Sequence, residues 1–349
     1  MSGTALTLVW LVTAAASALT VEGVRRLALR HGVMDVPNGR SSHAAPTPRG
    51  GGVAVVAACA VGWGAALVVG GWGALGPLAA GTLLVAAVSW ADDVRTLAAR
   101  TRFGVHAAAA GLVVAALGPW GAVAVPFVGE VPVGVWLGAP LALVWAVGLT
   151  NAYNFMDGID GIAGAQAVVA GAAWALAGAA LGLPAVALTG ALVAGASAGF
   201  LGHNWAPARI FMGDVGSAPL GFVFAGLALV AGDTAGGRLP LAGLLFVWPF
   251  VFDAAYTFAR RLGRGEDVFA AHRSHLYQRM TVAGWSHARV AGLYAAVAAG
   301  SAGLGLLWAV RGDGAAAVAA LGAVPLALGL AVRRAERRAA PAGEPVPAA

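Results

Sequence analysis

The chain has 349 residues, of which 60% are hydrophobic and only 10% are charged, and its mean hydropathy is +0.81. About a quarter of the residues of a soluble domain are Asp, Glu, Lys or Arg, so this composition excludes an ordinary soluble protein. The net charge is +6, with arginine supplying every basic side chain except the histidines, and the single cysteine, Cys59, excludes an internal disulfide or a thiolate metal site.

Long apolar segments follow one another along the chain. A helix needs about 20 apolar residues to cross a hydrocarbon core ~30 Å thick, and the lack of alternation favours helices over a barrel. The segments lie at 4–21, 51–70, 73–91, 104–120, 134–150, 162–182, 184–202, 217–232, 239–259, 289–310 and 314–332. The sequence therefore predicts an all-α, polytopic membrane helical bundle with about eleven transmembrane helices, ten being the alternative.

The arginines orient this bundle. With eleven spans and an outside N-terminus, 18 of the 21 basic residues fall on alternate connections and the C-terminal end. Positive loops stay on the cytoplasmic side, so we expect these loops and the C-terminus to be cytoplasmic. Orientation and contact with anionic lipid account for most of the arginines, and no nucleic-acid partner is expected. One integral membrane domain is predicted over 1–338, with a flexible cytoplasmic tail at 339–349.

Adjacent carboxylates, Asp92 and Asp93, directly follow the third apolar segment. Two acids at the end of a helix repel each other and oppose its dipole, so a cation should compensate them. Carboxylate oxygens suit Mg²⁺ or Mn²⁺. The alternative is a solvated pair balanced by Arg95 and Arg100.

A second cluster follows the fifth segment, where Asn151, Asn154, Asp157 and Asp160 recur every three positions. This spacing keeps the side chains on neighbouring faces of a helical turn. A turn and a helix cap would explain one Asp and one Gly, but four such side chains at a membrane boundary indicate function.

The third cluster combines Asn204, Phe211 and Asp214 between the seventh and eighth segments. Asp214, between glycines, is interpreted as either a helix-entry cap or a metal ligand, and Phe211 offers a face for a base to stack on. A fourth cluster, which includes His272, Arg273 and His275, is rich in donors suited to a diphosphate.

These motifs, taken in chain order, resemble the polyprenyl-phosphate N-acetylhexosamine-1-phosphate transferases of glycosyltransferase family 4, which include phospho-N-acetylmuramoyl-pentapeptide transferase. The matching text is Pro46-Thr-Pro-Arg-Gly-Gly, Asp92-Asp93, Asn151 to Gly161, Phe211 to Ser217 and the loop from His272 to His275. The resemblance covers the chain from about Asp35 to Arg279.

The resemblance implies Mg²⁺-dependent transfer of a sugar 1-phosphate from a UDP-sugar to undecaprenyl or another polyprenyl phosphate, with release of UMP and Mn²⁺ as the alternative cation. Asp214 is implied as the principal metal ligand, together with Asp93, and Asp92 or Asp93 as the acid that orients or deprotonates the lipid phosphate. The remaining implied catalytic residues are Asp157, Asp160 and His275. The implied substrate-binding residues are Thr47, Arg49, Asn151, Asn154, Asn204, Phe211, His272 and Arg273.

Differences from the family motifs indicate which branch of the family this chain resembles most. Thr96 replaces the third acid of the Asp-Asp-x-x-Asp pattern, and the last loop lacks three consecutive histidines. This text is closer to the enzymes that initiate O-antigen and surface polysaccharides, so an N-acetylated hexosamine or a deoxy relative is the expected sugar. We expect a multi-pass protein of the bacterial plasma membrane, in contact with membrane lipid, with a homodimer left open.

A rival class is a transporter or flippase, in which buried polar residues line a pathway. This class predicts polar side chains in the middle of spans, yet nearly all of them lie at one membrane edge. Asp253 is the chief exception.

Overall fold

A computed structural model gives the structure of the protein and describes residues 1–37, 45–70, 72–268, 270 and 272–339. The predicted tail, apart from Ala339, lies outside these residues. The helices are α1 (Gly3–His31), α2 (Gly52–Val69), α3 (Leu75–Arg95), α4 (Ala99–Leu117), α5 (Gly134–Phe155), α6 (Ile162–Ala180), α7 (Pro184–Asn204), α8 (Asp214–Val230), α9 (Leu239–Phe246), α10 (Trp248–Gly263), α11 (Leu276–Val282), α12 (His287–Arg311) and α13 (Gly314–Ala339).

Two short antiparallel hairpins accompany the helices in the described part of the chain. The first pairs β1 (Met34–Asp35) with β2 (Thr47–Pro48), and the second pairs β3 (Ala122–Val125) with β4 (Gly129–Pro132). The prediction of a helical bundle is confirmed, since the strands contain only two to four residues each.

Within the described residues, eight helices are long and apolar enough to cross a membrane, and the pair α9 and α10 makes a ninth if it counts as one bent span. Every predicted apolar segment coincides with a helix. The remaining two segments are α4, which carries Arg100 and Arg102 in its first turn, and α8, which has 17 residues. The protein is a multi-pass membrane protein, and the predicted number of eleven spans is not confirmed.

The most buried spans are α6 and α7, which pack closely against each other, while α7 also packs against α1. A Cβ atom at Gly190 of α7 would lie 2.3 Å from the backbone nitrogen of Ala175 in α6. Small residues allow this approach, and close backbone packing stabilises helix pairs in lipid, where apolar side chains gain little by leaving the surrounding hydrocarbon.

The axes of α9 and α10 differ by 79°. Pro249 occupies the first turn of α10, where its missing N–H is tolerated but where it cannot continue the preceding helix. The bend sets the direction of α10, which carries Asp253 in its middle and Arg260 and Arg261 in its last turn.

Contacts between connections define two ends of the bundle. At one end Arg49 meets Asp93, Asp160 meets His287, and Tyr277 meets Phe155. We call this the site end. The β3–β4 hairpin lies at the opposite end, where Asp233 accepts a hydrogen bond from the backbone of Gly121 at 3.1 Å.

Candidate active site

Two connections run side by side at the site end, one leading into α2 and the other into α8. The backbone N–H of Phe211 donates to Pro48 O at 2.8 Å, and the N–H of Gly51 donates to Phe211 O at 2.9 Å. A Cβ at Gly52 would lie 2.3 Å from the Cα of Gly216, so only glycine fits where the two helices begin. The motif before α2 is thereby joined to the motif before α8.

Asp93, near the end of α3, caps the start of α8. Its Oδ1 accepts the backbone N–H of Asp214 at 3.1 Å, and its Oδ2 accepts the N–H of Val215 at 3.0 Å. These N–H groups have no partner within the helix, and the positive end of the helix dipole favours a carboxylate there. The Asp93 side chain is only 3% exposed. Asp93 therefore fixes the position of Asp214.

Two arginines neutralise the acids. Arg49 forms an ion pair with Asp93 and lies 3.3 Å from Asp214 Oδ1. Arg102 lies 2.6 Å from Asp92 Oδ2 and 3.4 Å from Asp214 Oδ2. We call Arg49, Asp92, Asp93, Arg102 and Asp214 the central cluster.

The alternative of a solvated pair balanced by Arg95 and Arg100 differs from the structure, in which Arg49 and Arg102 pair with the two acids. Arg95 and Arg100 are exposed, whereas Arg102, two positions further along, turns inward from the first turn of α4. Asp92 also accepts the backbone N–H of Leu97 at 2.5 Å. The short α3–α4 connection therefore folds back over Asp92 and carries Arg102 into the cluster.

The end of α5 adds polar side chains to this cluster. Asn154 Nδ2 donates to Asp214 Oδ2 at 3.3 Å, and Ser217 Oγ donates to Asn154 Oδ1 at 2.5 Å. Asp157 lies in the connection that follows α5, and burial together with the charge of Asp214 raises its pKa to about 7. Arg49 opposes this rise. Although burial disfavours its charged form, the carboxylates of Asp93 and Asp214 raise the pKa of Arg49.

The oxygen atoms of the central cluster are the kind of ligand that a divalent cation needs. Among the described residues, no group of three His, Cys, Asp or Glu side chains is arranged to enclose a metal ion. Mg²⁺ is usually held by one or two carboxylates, with water and substrate phosphate completing the shell. The half-buried carboxylate of Asp214 fits that mode of binding, because its partners are side chains, whereas both oxygens of Asp93 already accept backbone N–H groups.

Asp160 and Asn204 lie in a second set of contacts. Asp160 Oδ2 accepts the N–H of Ala208 at 3.1 Å, and its Oδ1 lies 3.3 Å from His287 Nδ1 at the start of α12. The buried amide of Asn204 accepts from Gly161 N and donates to Ile210 O, both at 3.0 Å. Both side chains hold connections in place, and their contact with substrate stays a prediction.

Three other predicted residues lie near these groups. Asn151 donates to Val147 O at 2.7 Å and lies 3.4 Å from Nδ1 of His106, a buried residue of α4. Thr47 donates to the carbonyl of Ala45 at 3.1 Å. Phe211, predicted as an exposed stacking face, is half-buried.

The loop from His272 to His275, which we call the histidine loop, precedes α11. His272 Nδ1 lies 3.0 Å from Ser274 Oγ, and the rings of His272 and His275 are 5.0 Å apart. Burial and the neighbouring His275 lower the pKa of His272 to about 4, so its ring is neutral at pH 7. The half-buried Arg273 keeps a buried Nε without a hydrogen-bond partner among the described residues.

Tyr277 connects this loop to the end of α5. Its hydroxyl donates to Phe155 O at 3.2 Å, and its ring stacks on His275 with 5.7 Å between centroids. A Cβ at Gly158 would lie 2.1 Å from the Tyr277 hydroxyl, so this glycine admits the tyrosine. The histidine loop and the Asp157 connection are therefore neighbours.

The structure joins the predicted motifs but adds side chains that the sequence did not single out. These are Arg102, His106, Ser217 and His287. In the sequence, Ser217 is the last residue of a motif, and Arg102 is one of many arginines on the expected cytoplasmic side. Their partners come from other helices, so spacing along the chain gave no signal for these contacts.

Comparison with known proteins identifies related chains. Residues 75–232 match the family model described as glycosyl transferase family 4. A phospho-N-acetylmuramoyl-pentapeptide-transferase of Synechococcus is 33% identical over 77% of this chain and 79% of its own. A decaprenyl-phosphate N-acetylglucosaminephosphotransferase of Mycobacterium tuberculosis is 30% identical over 82% of this chain and 78% of its own. A probable undecaprenyl-phosphate N-acetylglucosaminyl 1-phosphate transferase of Bacillus subtilis is 28% identical over 76% and 74%.

Proposed function

This chain belongs to glycosyl transferase family 4, and from that premise we propose that it transfers an N-acetylhexosamine 1-phosphate from a UDP-sugar to a polyprenyl phosphate. It is a phosphotransferase for substituted phosphate groups. In the proposed reaction an oxygen of the lipid phosphate attacks the sugar-bearing phosphorus of the donor. The bond from that phosphorus to the oxygen of UMP breaks, UMP leaves, and a lipid-linked sugar diphosphate remains.

The observation that carries the proposal is the central cluster. Three carboxylates and two arginines from three different parts of the chain meet within contact distance at one end of the bundle. Phosphoryl transfer requires positioning and neutralisation of phosphate charge more than covalent groups from the protein. Arginine suits this task because its planar fork matches two phosphate oxygens.

The substrates of the relatives support the same reading. Two of them are named for polyprenyl-phosphate acceptors and N-acetylglucosamine 1-phosphate, and a third for a muramoyl pentapeptide. A UDP donor would bring two phosphates and a flat base to the site end. We assign the half-buried Phe211 to the base, and Arg49 together with the histidine loop to the phosphates.

A divalent cation, Mg²⁺ or Mn²⁺, would supply charge neutralisation for the diphosphate. Asp214 would hold it, because the two oxygens of this carboxylate lie between the two arginines, and Asn154 would orient Asp214 through the hydrogen bond from its amide nitrogen. Asp93 keeps Asp214 in place by capping α8. Asp92 is then the acid assigned to the acceptor, since its ion-pair partner Arg102 also suits a phosphate.

The rival transporter reading rests on Asp253. In the structure this side chain is fully buried, and both of its oxygens accept hydrogen bonds from the protein itself. The polar groups otherwise gather at the site end. We propose that this end faces the cytoplasm of a bacterium and that the N-terminus lies outside, as the arginine distribution indicates.

The test uses purified protein in detergent with polyprenyl phosphate, Mg²⁺ and a panel of UDP-sugars, and it follows UMP and the lipid-linked product. We expect UMP release that requires both the lipid and the cation, with UDP-N-acetylhexosamines as the best donors. No cation-dependent UMP from any donor would overturn the proposal. Asp214→Asn with full activity would overturn the metal assignment while leaving the reaction class in place.

A further inference from the structure

The carboxylate of Asp253 is the most completely enclosed acid outside the central cluster in the described chain. It lies in the middle of α10, and its exposed fraction is 0%. A buried charge is costly unless it is paired and hydrogen-bonded. The hydrogen-bond partners of Asp253 therefore indicate its structural role.

Both oxygens are fully engaged. Oδ1 accepts the N–H of Leu276 at 2.8 Å and the hydroxyl of Thr257 at 3.1 Å. Oδ2 accepts the N–H of Tyr277 at 3.2 Å and the hydroxyl of Tyr294 at 2.6 Å. One carboxylate thus ties α10, the start of α11 and α12 together.

His275 is the remaining neighbour. Its Nδ1 lies 3.4 Å from Asp253 Oδ1, and its side chain is 7% exposed. Nδ1 makes no hydrogen bond to the carboxylate, so Asp253 places the ring through this close contact and through the backbone N–H groups of the next two residues, Leu276 and Tyr277. Asp253 accepts the N–H of Tyr277, whose hydroxyl in turn donates to Phe155 O, so these contacts also hold the histidine loop next to the end of α5.

We propose that Asp253 is a positioning residue that holds His275 and the first turn of α11 against the substrate site. This inference rests on the proposed function, because it assigns Asp253 a role in the same reaction. Asp253 acts through His275 and touches neither substrate. The buried acid in the span is thereby explained by the geometry of the loop rather than by a transport pathway.

Asp253→Asn is the direct test. The amide keeps the volume but replaces one acceptor oxygen by an NH₂ group, which faces N–H and O–H donors and leaves at least one without an acceptor. Hydrogen exchange of the peptide that contains residues 276–282 needs no substrate. We expect exchange about tenfold faster than in the wild type, because the first turn of α11 loses one of the buried hydrogen bonds that hold it.

Ser301→Ala is the matched control. Ser301 carries a buried hydroxyl of α12 that donates to Leu245 O of α9 at 2.7 Å, away from the residues that hold α11. We expect unchanged exchange in 276–282 and unchanged activity. Tyr294→Phe serves as the second variant if Asp253→Asn fails to fold, since it removes one hydrogen bond and keeps the carboxylate; faster exchange at 276–282 is again expected.

A double-mutant cycle with His275→Gln separates positioning from mere stability. If Asp253 acts through His275, Asp253→Asn lowers kcat/KM about tenfold in the wild type and less than about twofold when His275 is already replaced. Unchanged exchange at 276–282, or losses that simply multiply in the double variant, would overturn the inference. A wild-type protein that makes no UMP would instead overturn the proposed function, and the exchange measurement would still decide whether Asp253 holds the loop.

Discussion

Asp93 on α3 determines where Asp214 stands at the start of α8, because its two oxygens accept the backbone N–H groups of Asp214 and Val215. Two acids of one site therefore have different tasks. Asp214 presents a carboxylate that is 23% exposed, whereas Asp93 is nearly enclosed.

Replacing each acid by asparagine should separate the two tasks. Asp93→Asn leaves one N–H of α8 facing an amide group, so we expect a loss of about 1–3 kcal/mol of stability together with reduced transfer. Asp214→Asn should abolish transfer and leave the unfolding temperature unchanged or higher, since an acid is removed from a crowded site. Thermal unfolding in detergent and UMP release measure the two effects. Equal loss of stability in both variants would contradict this division.

Arg102 should be required for transfer, although it stands among several arginines that only orient the chain. Arg102→Gln removes the cation between Asp92 and Asp214, and we expect at least about a tenfold fall in kcat/KM. Arg100→Gln is the matched control, because Arg100 lies in the same turn of α4 and is exposed. Initial rates at varied lipid and donor concentrations measure both. Equal effects of the two changes would show that Arg102 contributes only general charge.

The fold was predictable because membrane helices must satisfy their own backbone hydrogen bonds and therefore need long apolar segments. Each predicted segment but one corresponds to a single helix, and the polar clusters lie at one end of the bundle. The bend between α9 and α10 was not predicted, since residues 239–259 form one apolar segment in the sequence. The angle depends on Pro249 and on the packing of α10, which hydropathy does not express.

The sequence predicted which residues form the site better than it predicted the role of each residue there. Asp92, Asp93, Asn154 and Asp214 were chosen as polar groups near apolar segments, and the structure brings them together. That Asp93 caps α8, and that Asn204 binds two backbone groups, depends on contacts between residues more than five positions apart. Such contacts depend on helix packing. A sequence motif therefore identifies a functional residue but not the residue that it contacts.

Gly52 should tolerate no side chain. A Cβ there would lie 2.3 Å from Gly216 Cα, so we expect Gly52→Ala to cost about 1–3 kcal/mol and to separate the starts of α2 and α8, with loss of transfer. Gly64→Ala in the same helix is the control, because nothing lies within 4 Å of its added Cβ. That change should leave activity intact and stabilise the helix by roughly 0.5–1 kcal/mol. Thermal unfolding and UMP release distinguish the two, and a harmless Gly52→Ala would contradict the close approach.

Asp157 should make the stability of the cation-free protein depend on pH. Burial and the charge of Asp214 raise its pKa to about 7, whereas an unfolded chain has an Asp pKa of about 3.9. The folded state then binds the proton more tightly, so the contribution of Asp157 to stability is greatest below about pH 4 and falls as pH rises towards 7.

The slope from this one group is at most about 1.4 kcal/mol per pH unit, and it vanishes above the folded pKa. Unfolding temperatures measured in EDTA between pH 5 and 8 should therefore fall more steeply for the wild type than for Asp157→Asn. The two curves should become parallel near pH 8, about one unit above the folded pKa, where Asp157 is almost fully ionised. Asp233→Asn, at the opposite end of the bundle, is the control: its unfolding temperature should change with pH as steeply as that of the wild type. Parallel curves for the wild type and Asp157→Asn over the whole range would contradict the prediction. They would show that Asp157 is ionised throughout, and therefore that neither burial nor the charge of Asp214 raises its pKa into this range.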